Sequence, residues 1–313
     1  MENADVNYNV AERDLKYYIF DWDNNILHMP TRIHLDERKA DGTWAPCAIS
    51  TSQFARIRQD TARYRPPGGD WERAFVEFRD LDPQGRSQFL DDTRRALEPI
   101  VSGEQKPAPS FNRFRQALVE GRLFAIVTAR GHSAATVKAG VQLFIETVLA
   151  PAERAEMLRN LRGYLACFEP GHAELSDQAV IENYLGLNRY HAITSPDFRA
   201  FMRLQDPGAE SQEKSKQLAI RDFVRHVIAI VHRTGLRKPV SIGFSDDDIQ
   251  NVGAAEKYIR EELGREFPGV KFVVYDTSDP ELPSGRKMIV QGQLDLRLRG
   301  SAARWEDGGG SHA

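Results

Sequence analysis

The sequence predicts an α/β fold in which a mainly parallel sheet lies between layers of helices. Three short apolar segments have the composition of buried strands, namely residues 16–20, 123–127 and 239–245. Polar side chains follow each segment, and helical patterns separate the three along the chain. Strands that alternate with helices pair in parallel and bring their carboxyl ends to one edge of the sheet. We therefore expect a Rossmann-like three-layer sandwich with polar groups gathered at that edge.

A hairpin and a helical stretch are predicted directly after the first strand. The turn signal Asp41-Gly42 lies between two β-rich stretches at 31–37 and 44–51. The residues that follow are polar and mostly helical in pattern. We interpret 32–103 as an insertion that caps the polar edge of the sheet.

The rest of the chain alternates between helical and strand patterns. A helix at 110–121 precedes the second strand, and a long amphipathic helix at 211–234 precedes the third. Between them, 136–204 is helical in pattern and is interpreted as a second, helical insertion. A further strand is predicted at 270–275, and the tail 296–313 is predicted to be disordered.

Composition favours a globular cytoplasmic protein without a membrane segment. Hydrophobic residues make up 41% of the chain, and the net charge of -3 supplies no global basic field that would attract nucleic acid. The Arg-rich stretch 56–65 is either a local basic patch or the solvated face of a helix, and the second interpretation is the more common one. Two cysteines form neither a disulfide framework nor a zinc cluster. No signal peptide is visible, and no apolar run approaches the roughly 20 residues of a membrane helix.

The polar groups at the strand ends point to phosphoryl chemistry. Asp21 and Asp23 are two residues apart on an extended segment, so their side chains point the same way. One carboxylate can attack phosphorus while the other protonates the leaving oxygen and later activates water. Thr128 offers a hydroxyl for phosphate oxygens, and Asp246 and Asp247 add two more carboxylates. Crowded carboxylates repel one another, and an all-oxygen site of this kind suits Mg²⁺.

These segments resemble the four motifs of the haloacid dehalogenase-like (HAD) hydrolase superfamily, in its phosphatase form. The first motif is an apolar strand followed by Asp-x-Asp, matched at 17–23. The second is an apolar strand ending in Thr, matched at 124–128, and the fourth is a strand ending in an acidic pair, matched at 242–247. The third is a lysine near the start of the helix that leads to the fourth motif. Each motif is weakly specific, and their order carries the resemblance.

The resemblance implies a role for each motif residue. Asp21 would form an aspartyl-phosphate intermediate, and Asp23 would be the general acid and base. Mg²⁺ would be held by Asp21, Asp23 (through its backbone carbonyl), Asp246 and Asp247, and the phosphoryl group by Thr128, Ala129 and either Lys216 or Lys214.

Two assignments are open at this point. Lys216 is preferred over Lys214 as the third-motif lysine because the apolar face of its helix begins just after it. The fourth motif lacks the Gly-Asp form that is familiar in the superfamily. An alternative alignment therefore makes Asp247 or Asp248 the metal contact.

The expected function is Mg²⁺-dependent hydrolysis of a phosphomonoester, with a small molecule as the substrate. The catalytic core would comprise 1–31, 104–135 and 205–295. One alternative is a phosphatase or phosphoryl transferase that acts on nucleic-acid ends or phosphoproteins, which a more open cleft and a basic rim would favour. Another is a non-catalytic binding protein on the same scaffold, and the presence of both Asp21 and Asp23 argues against it.

Overall fold

A computed structural model describes residues 14–80, 88–168, 175–205, 211–282 and 284–290 of the 313-residue chain. The strands in chain order are β1 (Leu15–Phe20), β2 (Ile33–Arg38), β3 (Trp44–Ile49), β4 (Tyr64–Arg65), β5 (Phe124–Thr128), β6 (Arg189–Ala192), β7 (Val240–Asp246), β8 (Val270–Asp276) and β9 (Arg286–Ile289). The helices are α1 (Thr51–Ile57), α2 (Trp71–Ala74), α3 (Gln88–Val101), α4 (Phe111–Val119), α5 (Ala134–Val148), α6 (Pro151–Phe168), α7 (Asp177–Leu187), α8 (Pro196–Gln205), α9 (Gln212–Arg233), α10 (Ile249–Tyr258) and α11 (Gly264–Glu266). Short 3₁₀ turns cover Pro67–Gly69 and Val76–Phe78, and a π-helical turn covers Ile259–Leu263.

A six-stranded sheet with the order β6-β5-β1-β7-β8-β9 forms the centre of the molecule. All neighbouring strands pair in parallel except β8 and β9, which pair antiparallel. Every residue of β5 is buried, which explains why this strand is a continuous apolar run. In the registers of β1 with its neighbours, Phe20 lies opposite Ile126 and Ser245, so the carboxyl ends of these strands meet at one edge. The predicted α/β class with a mainly parallel sheet is confirmed.

The longer helices fall into two groups that pack on this sheet. In the first group, α3 and α4 contact α5, and α6 contacts α4 and α7. In the second group, α9 contacts α10, and both contact strands of the sheet. This arrangement is compatible with a Rossmann-like sandwich. None of the described helices combines the length and the apolar character that crossing a membrane requires.

The segment 32–103 combines two kinds of structure. The predicted hairpin is present as β2 and β3, and with β4 it forms a small antiparallel sheet. This sheet and the turns after it enclose their own apolar cluster, which includes Ile33, Leu35 and Phe78. Helix α3 does not pack with this separate cluster, because its Phe89 belongs to the main hydrophobic core. The small sheet is therefore separate from the core, and α3 is not.

The segment 136–204, expected to be wholly helical, also contains a strand of the main sheet. Strand β6 pairs in parallel with β5, with Ala192 opposite Thr128. Its sequence, Arg-Tyr-His-Ala, has no apolar run because β6 is at the edge of the sheet and only Ala192 is buried. The helices before it contribute residues such as Val141 and Tyr184 to the main core. The expected disordered tail, 296–313, lies outside the described residues.

Candidate active site

The first and fourth motifs meet at the carboxyl edge of the sheet. Asp21 follows the last residue of β1, and Asp246 is the last residue of the neighbouring strand β7. Lys216 joins them, because its Nζ lies 2.6 Å from Asp246 Oδ2 and 3.4 Å from Asp21 Oδ1. All three side chains are buried. The fold thus brings Asp21 and Lys216, which are 195 positions apart in sequence, into one charged cluster.

The local structure of α9 places Lys216, and not Lys214, in this cluster. The hydroxyl of Ser211 accepts a hydrogen bond from the Lys214 backbone N–H and caps the helix. Lys214 is exposed, whereas Ser215 and Lys216 are the first buried residues of α9. Burial alone would lower the pKa of Lys216, but the carboxylates of Asp246 and Asp21 outweigh that effect and raise it. Lys216 therefore remains a cation between two acids.

The three acids at the end of β7 have different surroundings. Asp246 Oδ1 accepts hydrogen bonds from the Asp248 backbone N–H and from Asn251 Nδ2, at 3.0 and 3.1 Å. Asp248 caps α10 and lies 3.4 Å from Arg58. Asp247 is only partly buried and lines the open cleft. All three acids line the cleft, and Asp248 in addition caps α10.

Negative charge is in excess at this edge. Burial raises the pKa of Asp21 well above its ordinary value, and the nearby acids add to the rise against the opposing effect of Lys216. Loss of solvent around Asp247, together with repulsion from Asp246, raises its pKa to about 7. The carboxylates of the cluster are Asp21, Asp23, Asp246 and Asp247, and its cations are Lys216 and Arg130.

The Asp247→Asn variant is expected to be more stable than the wild-type protein at pH 8 in EDTA. The Asp247 carboxyl has a pKa near 3.8 when unfolded and about 7 when folded. The stability that its protonated form provides is therefore present below about pH 4 and lost as the pH rises through 7. Asparagine avoids this loss, so we expect a gain of about 1 kcal/mol or more at pH 8 and none at pH 4. Denaturant unfolding of both proteins at pH 8 and pH 4 measures this gain. Equal stability of the variant and the wild-type protein at pH 8 would contradict the expectation.

Asp23 is held by Arg130, a residue to which the sequence analysis assigned no role. Arg130 Nε and Nη2 donate to the two Asp23 carboxylate oxygens at 2.8 and 2.6 Å. The guanidinium has no exposed surface, so this two-pronged ion pair is sheltered from water. Each Asp23 oxygen keeps a second lone pair for a proton. The pair fixes the orientation of Asp23 relative to Asp21.

A second layer of contacts holds Arg130. Its Nη2 also donates to Thr31 Oγ1 at 2.8 Å, and the Thr31 hydroxyl donates to Asp92 Oδ2 at 2.6 Å. The guanidinium lies over the rings of Phe78 and Phe89, 4.8 and 5.1 Å from their centroids. A buried arginine needs an acidic partner. The sequence signal for this contact was therefore an arginine only two residues after the apolar strand β5.

Thr128 and Ala129 lie at the end of β5 and line the cleft. Thr128 is buried, and its hydroxyl is 3.4 Å from the Arg130 backbone N–H. Ala129 is exposed. The N-terminus of α5, which follows this turn, already has an acidic partner, because Asp80 accepts from the Ser133 backbone N–H at 2.8 Å.

Asn25 is a second residue of the site that was not among the predicted ones. It is fully buried, and its Nδ2 donates to the Asp21 carbonyl at 2.9 Å and to Ser245 Oγ at 2.9 Å. Its Oδ1 accepts from the Thr277 hydroxyl at 2.8 Å. One amide thereby links the ends of β1, β7 and β8 and holds Asp21 in position.

The cluster opens into a cleft of about 1500 Å³. Ligand pockets for small molecules usually occupy about 300–1,000 Å³. Residues of the small-sheet segment and of α8 line the cleft as well as the motif residues. The site therefore has room for a substrate larger than a small phosphorylated metabolite.

The donor chemistry of the cluster suits a hard divalent cation. All candidate ligands are carboxylate or carbonyl oxygens, and the surplus of acids over cations raises the pKa of Asp21 and Asp247. Within the described ranges, no group of three or more His, Cys, Asp or Glu side chains is arranged to hold a metal ion. A metal would therefore be held by two carboxylates together with backbone or substrate oxygens.

Comparison of the chain with protein-family models, with curated proteins and with solved structures found no significant match. The resemblance to the HAD superfamily rests on the sequence motifs and stays a prediction.

Proposed function

We propose that this protein is a Mg²⁺-dependent phosphatase that hydrolyses a phosphomonoester through an aspartyl-phosphate on Asp21. The supporting observation is the position of Asp21, which lies at the floor of an open cleft within 3.4 Å of Lys216. A buried cation beside a buried carboxylate suits the attack of that carboxylate on a phosphoryl group, because the cation attracts the phosphoryl oxygens. Both acids that the two steps need are present.

The proposed reaction has two steps that use the same two acids. In the first, an Asp21 oxygen bonds to phosphorus, the ester P–O bond breaks, and the leaving oxygen takes a proton from Asp23. In the second, Asp23 removes a proton from water, whose oxygen bonds to phosphorus as the bond to Asp21 breaks. Inorganic phosphate leaves and both side chains return to their starting forms. Arg130 keeps Asp23 in one orientation through both steps.

Mg²⁺ is proposed to be held by the Asp21 and Asp246 side chains and the Asp23 carbonyl, with Asp247 near by. When bound, it would neutralise the surplus carboxylate charge and polarise a phosphoryl oxygen. Thr128, Ala129 and Lys216 are proposed to bind the remaining phosphoryl oxygens. The small sheet formed by β2, β3 and β4, with α1, is proposed as the cap.

Hydrolysis of an aryl phosphate by the purified protein tests this function. We expect turnover in millimolar Mg²⁺ and none in EDTA, because without the metal the four carboxylates of the cluster outnumber its two cations, Lys216 and Arg130. Liberated phosphate and aryl alcohol are both measured. Turnover that does not exceed the EDTA control would contradict the proposal.

Mg²⁺ is also expected to stabilise the folded protein, independently of any turnover. A ligand at 100 times its Kd adds about 2.7 kcal/mol, which for a chain of this size is a rise in melting temperature of several degrees. The Asp246→Asn variant should lose most of this shift. Asp248→Asn is the matched control, because Asp248 caps α10 and asparagine caps helices equally well. An undiminished shift in Asp246→Asn would place the metal elsewhere.

A further inference from the structure

We propose that the substrate is a single-stranded polynucleotide whose terminal phosphate enters the cleft. This inference rests on the proposed phosphatase function and specifies the substrate of the same site. It is carried by the charge, the aromatic surface and the size of the cleft outside the acidic cluster.

Arginines from three parts of the chain line the outer cleft. Arg56 and Arg58 belong to α1 or its end, Arg79 follows the 3₁₀ turn Val76–Phe78, and Arg199 and Arg203 are one turn apart on α8. Two of them have acidic partners, because Arg58 lies 3.4 Å from Asp248 and Arg79 lies 3.4 Å from Glu72. For the other three, no ion pair is formed within the described ranges. These three arginines, which have no ion-pair partner among the described residues, are Arg56, Arg199 and Arg203.

The Arg-rich stretch 56–65 divides between the cleft and the small sheet. Arg63 pairs with Glu37, and Arg65 lies over the Trp44 ring, so both are engaged by the small sheet. Arg56 and Arg58 are instead at the cleft. Part of this stretch therefore contributes positive charge to the outer cleft, together with arginines from two other parts of the chain.

A row of aromatic rings leads from the outer cleft to the acids. Trp71 is 48% exposed, and its ring centroid lies 6.0 Å from that of Phe75. Phe75 lies 5.6 Å from Phe78, whose ring carries the guanidinium of Arg130 at 4.8 Å. Arg130 in turn holds Asp23. An exposed indole at the outer end of this row is a surface on which a nucleic-acid base can stack.

Repeated phosphates with flat bases between them match this surface better than other phosphomonoesters do. Arginine pairs with phosphate oxygens through two parallel hydrogen bonds, and several separated arginines suit several separated phosphates. A phosphopeptide places its phosphate charge at single side chains and would leave the aromatic row unused. A small metabolite would leave most of the 1500 Å³ cleft unfilled.

Binding to the Asp21→Asn protein tests the inference without turnover. Fluorescence anisotropy would compare a single-stranded oligonucleotide carrying a 3′-phosphate, the same oligonucleotide with a 5′-phosphate, the unphosphorylated strand and a phosphoserine peptide. We expect one phosphorylated strand to bind at least about tenfold more tightly than the peptide, with an affinity that falls as salt rises. Adding Arg199→Gln and Arg203→Gln should weaken that binding about tenfold or more. Trp71→Ala should weaken it by a similar factor.

The matched control is the pair Arg233→Gln and Arg237→Gln. It removes the same charge from two exposed arginines outside the cleft, and the binding should stay unchanged. Tighter binding of the phosphopeptide, or no loss in the Arg199/Arg203 variant, would overturn the inference. Oligonucleotide binding by a protein that hydrolyses no aryl phosphate would overturn the phosphatase proposal instead, so the two failures are distinguishable.

Discussion

Asp21→Asn is expected to lower Mg²⁺-dependent hydrolysis of an aryl phosphate by at least about 10⁴-fold, the order of loss seen when a covalent nucleophile is removed. The asparagine amide has no free carboxylate oxygen to attack phosphorus. The variant should fold at least as well as the wild-type protein, because burial and the neighbouring acids already raise the pKa of Asp21 and make its charge costly. Loss of activity with retained melting temperature therefore identifies a chemical role.

Asp248→Asn is the control for this experiment. Asp248 lines the same cleft as Asp21, but its side chain accepts from the Gln250 backbone N–H as a helix cap, a contact that asparagine preserves. Its activity should stay within a fewfold of the wild-type value. Wild-type activity in Asp21→Asn would exclude Asp21 as the nucleophile.

Trapping separates the nucleophile from the acid and base. If Asp21 forms the intermediate, ³²P from a labelled substrate should remain on the acid-quenched wild-type protein and be released by hydroxylamine. Asp23→Asn should accumulate more label with a good leaving group, because water activation then limits the second step. Asp21→Asn should carry none, and label on that variant would contradict the assignment.

Arg130→Met is expected to cost about 3–5 kcal/mol of stability, because it leaves the Asp23 carboxylate without its partner in a site sheltered from water. The aromatic contacts of the guanidinium with Phe78 and Phe89 are lost at the same time. Denaturant unfolding measures the change. A loss below about 1 kcal/mol, the range of surface ion pairs, would contradict this account.

Two further variants separate the ion pair from the general effect of losing an arginine. Arg260 also donates through Nε and Nη2, in this case to one oxygen of Glu256 on the exposed face of the last helical turns, so Arg260→Met should cost less than about 1 kcal/mol. Combining Arg130→Met with Asp23→Asn should recover part of the stability, because no buried charge is then unpaired.

Arg130→Lys tests whether the pair also positions Asp23 for the reaction. Lysine keeps the positive charge but lacks the planar fork that contacts both oxygens. We expect a lower kcat with a smaller change in KM, and a shifted pH dependence of kcat. An unchanged pH profile with reduced stability would limit Arg130 to a structural role.

Much of the scaffold was readable from local patterns. The three strands that carry the motifs lie inside the sheet, and the residues just before their polar ends are buried, which explains the apolar segments by which they were recognised. Only β5 is buried along its whole length. The Asp-Gly turn likewise predicted the hairpin, because Gly42 adopts a φ of 85° that few other residues tolerate. Strand β6 was not readable, because an edge strand needs no such run.

The sequence by itself determined which acids end the central strands, because strand periodicity and chain order suffice to bring Asp21 and Asp246 to one edge. Only the tertiary structure decided what surrounds them. Lys216 enters the cluster because it lies near the start of the buried face of α9, and Arg130 contacts Asp23, which is 107 positions away in sequence. The arginine and aromatic lining of the cleft is likewise assembled from distant segments. Such contacts depend on packing between elements, which no local pattern encodes.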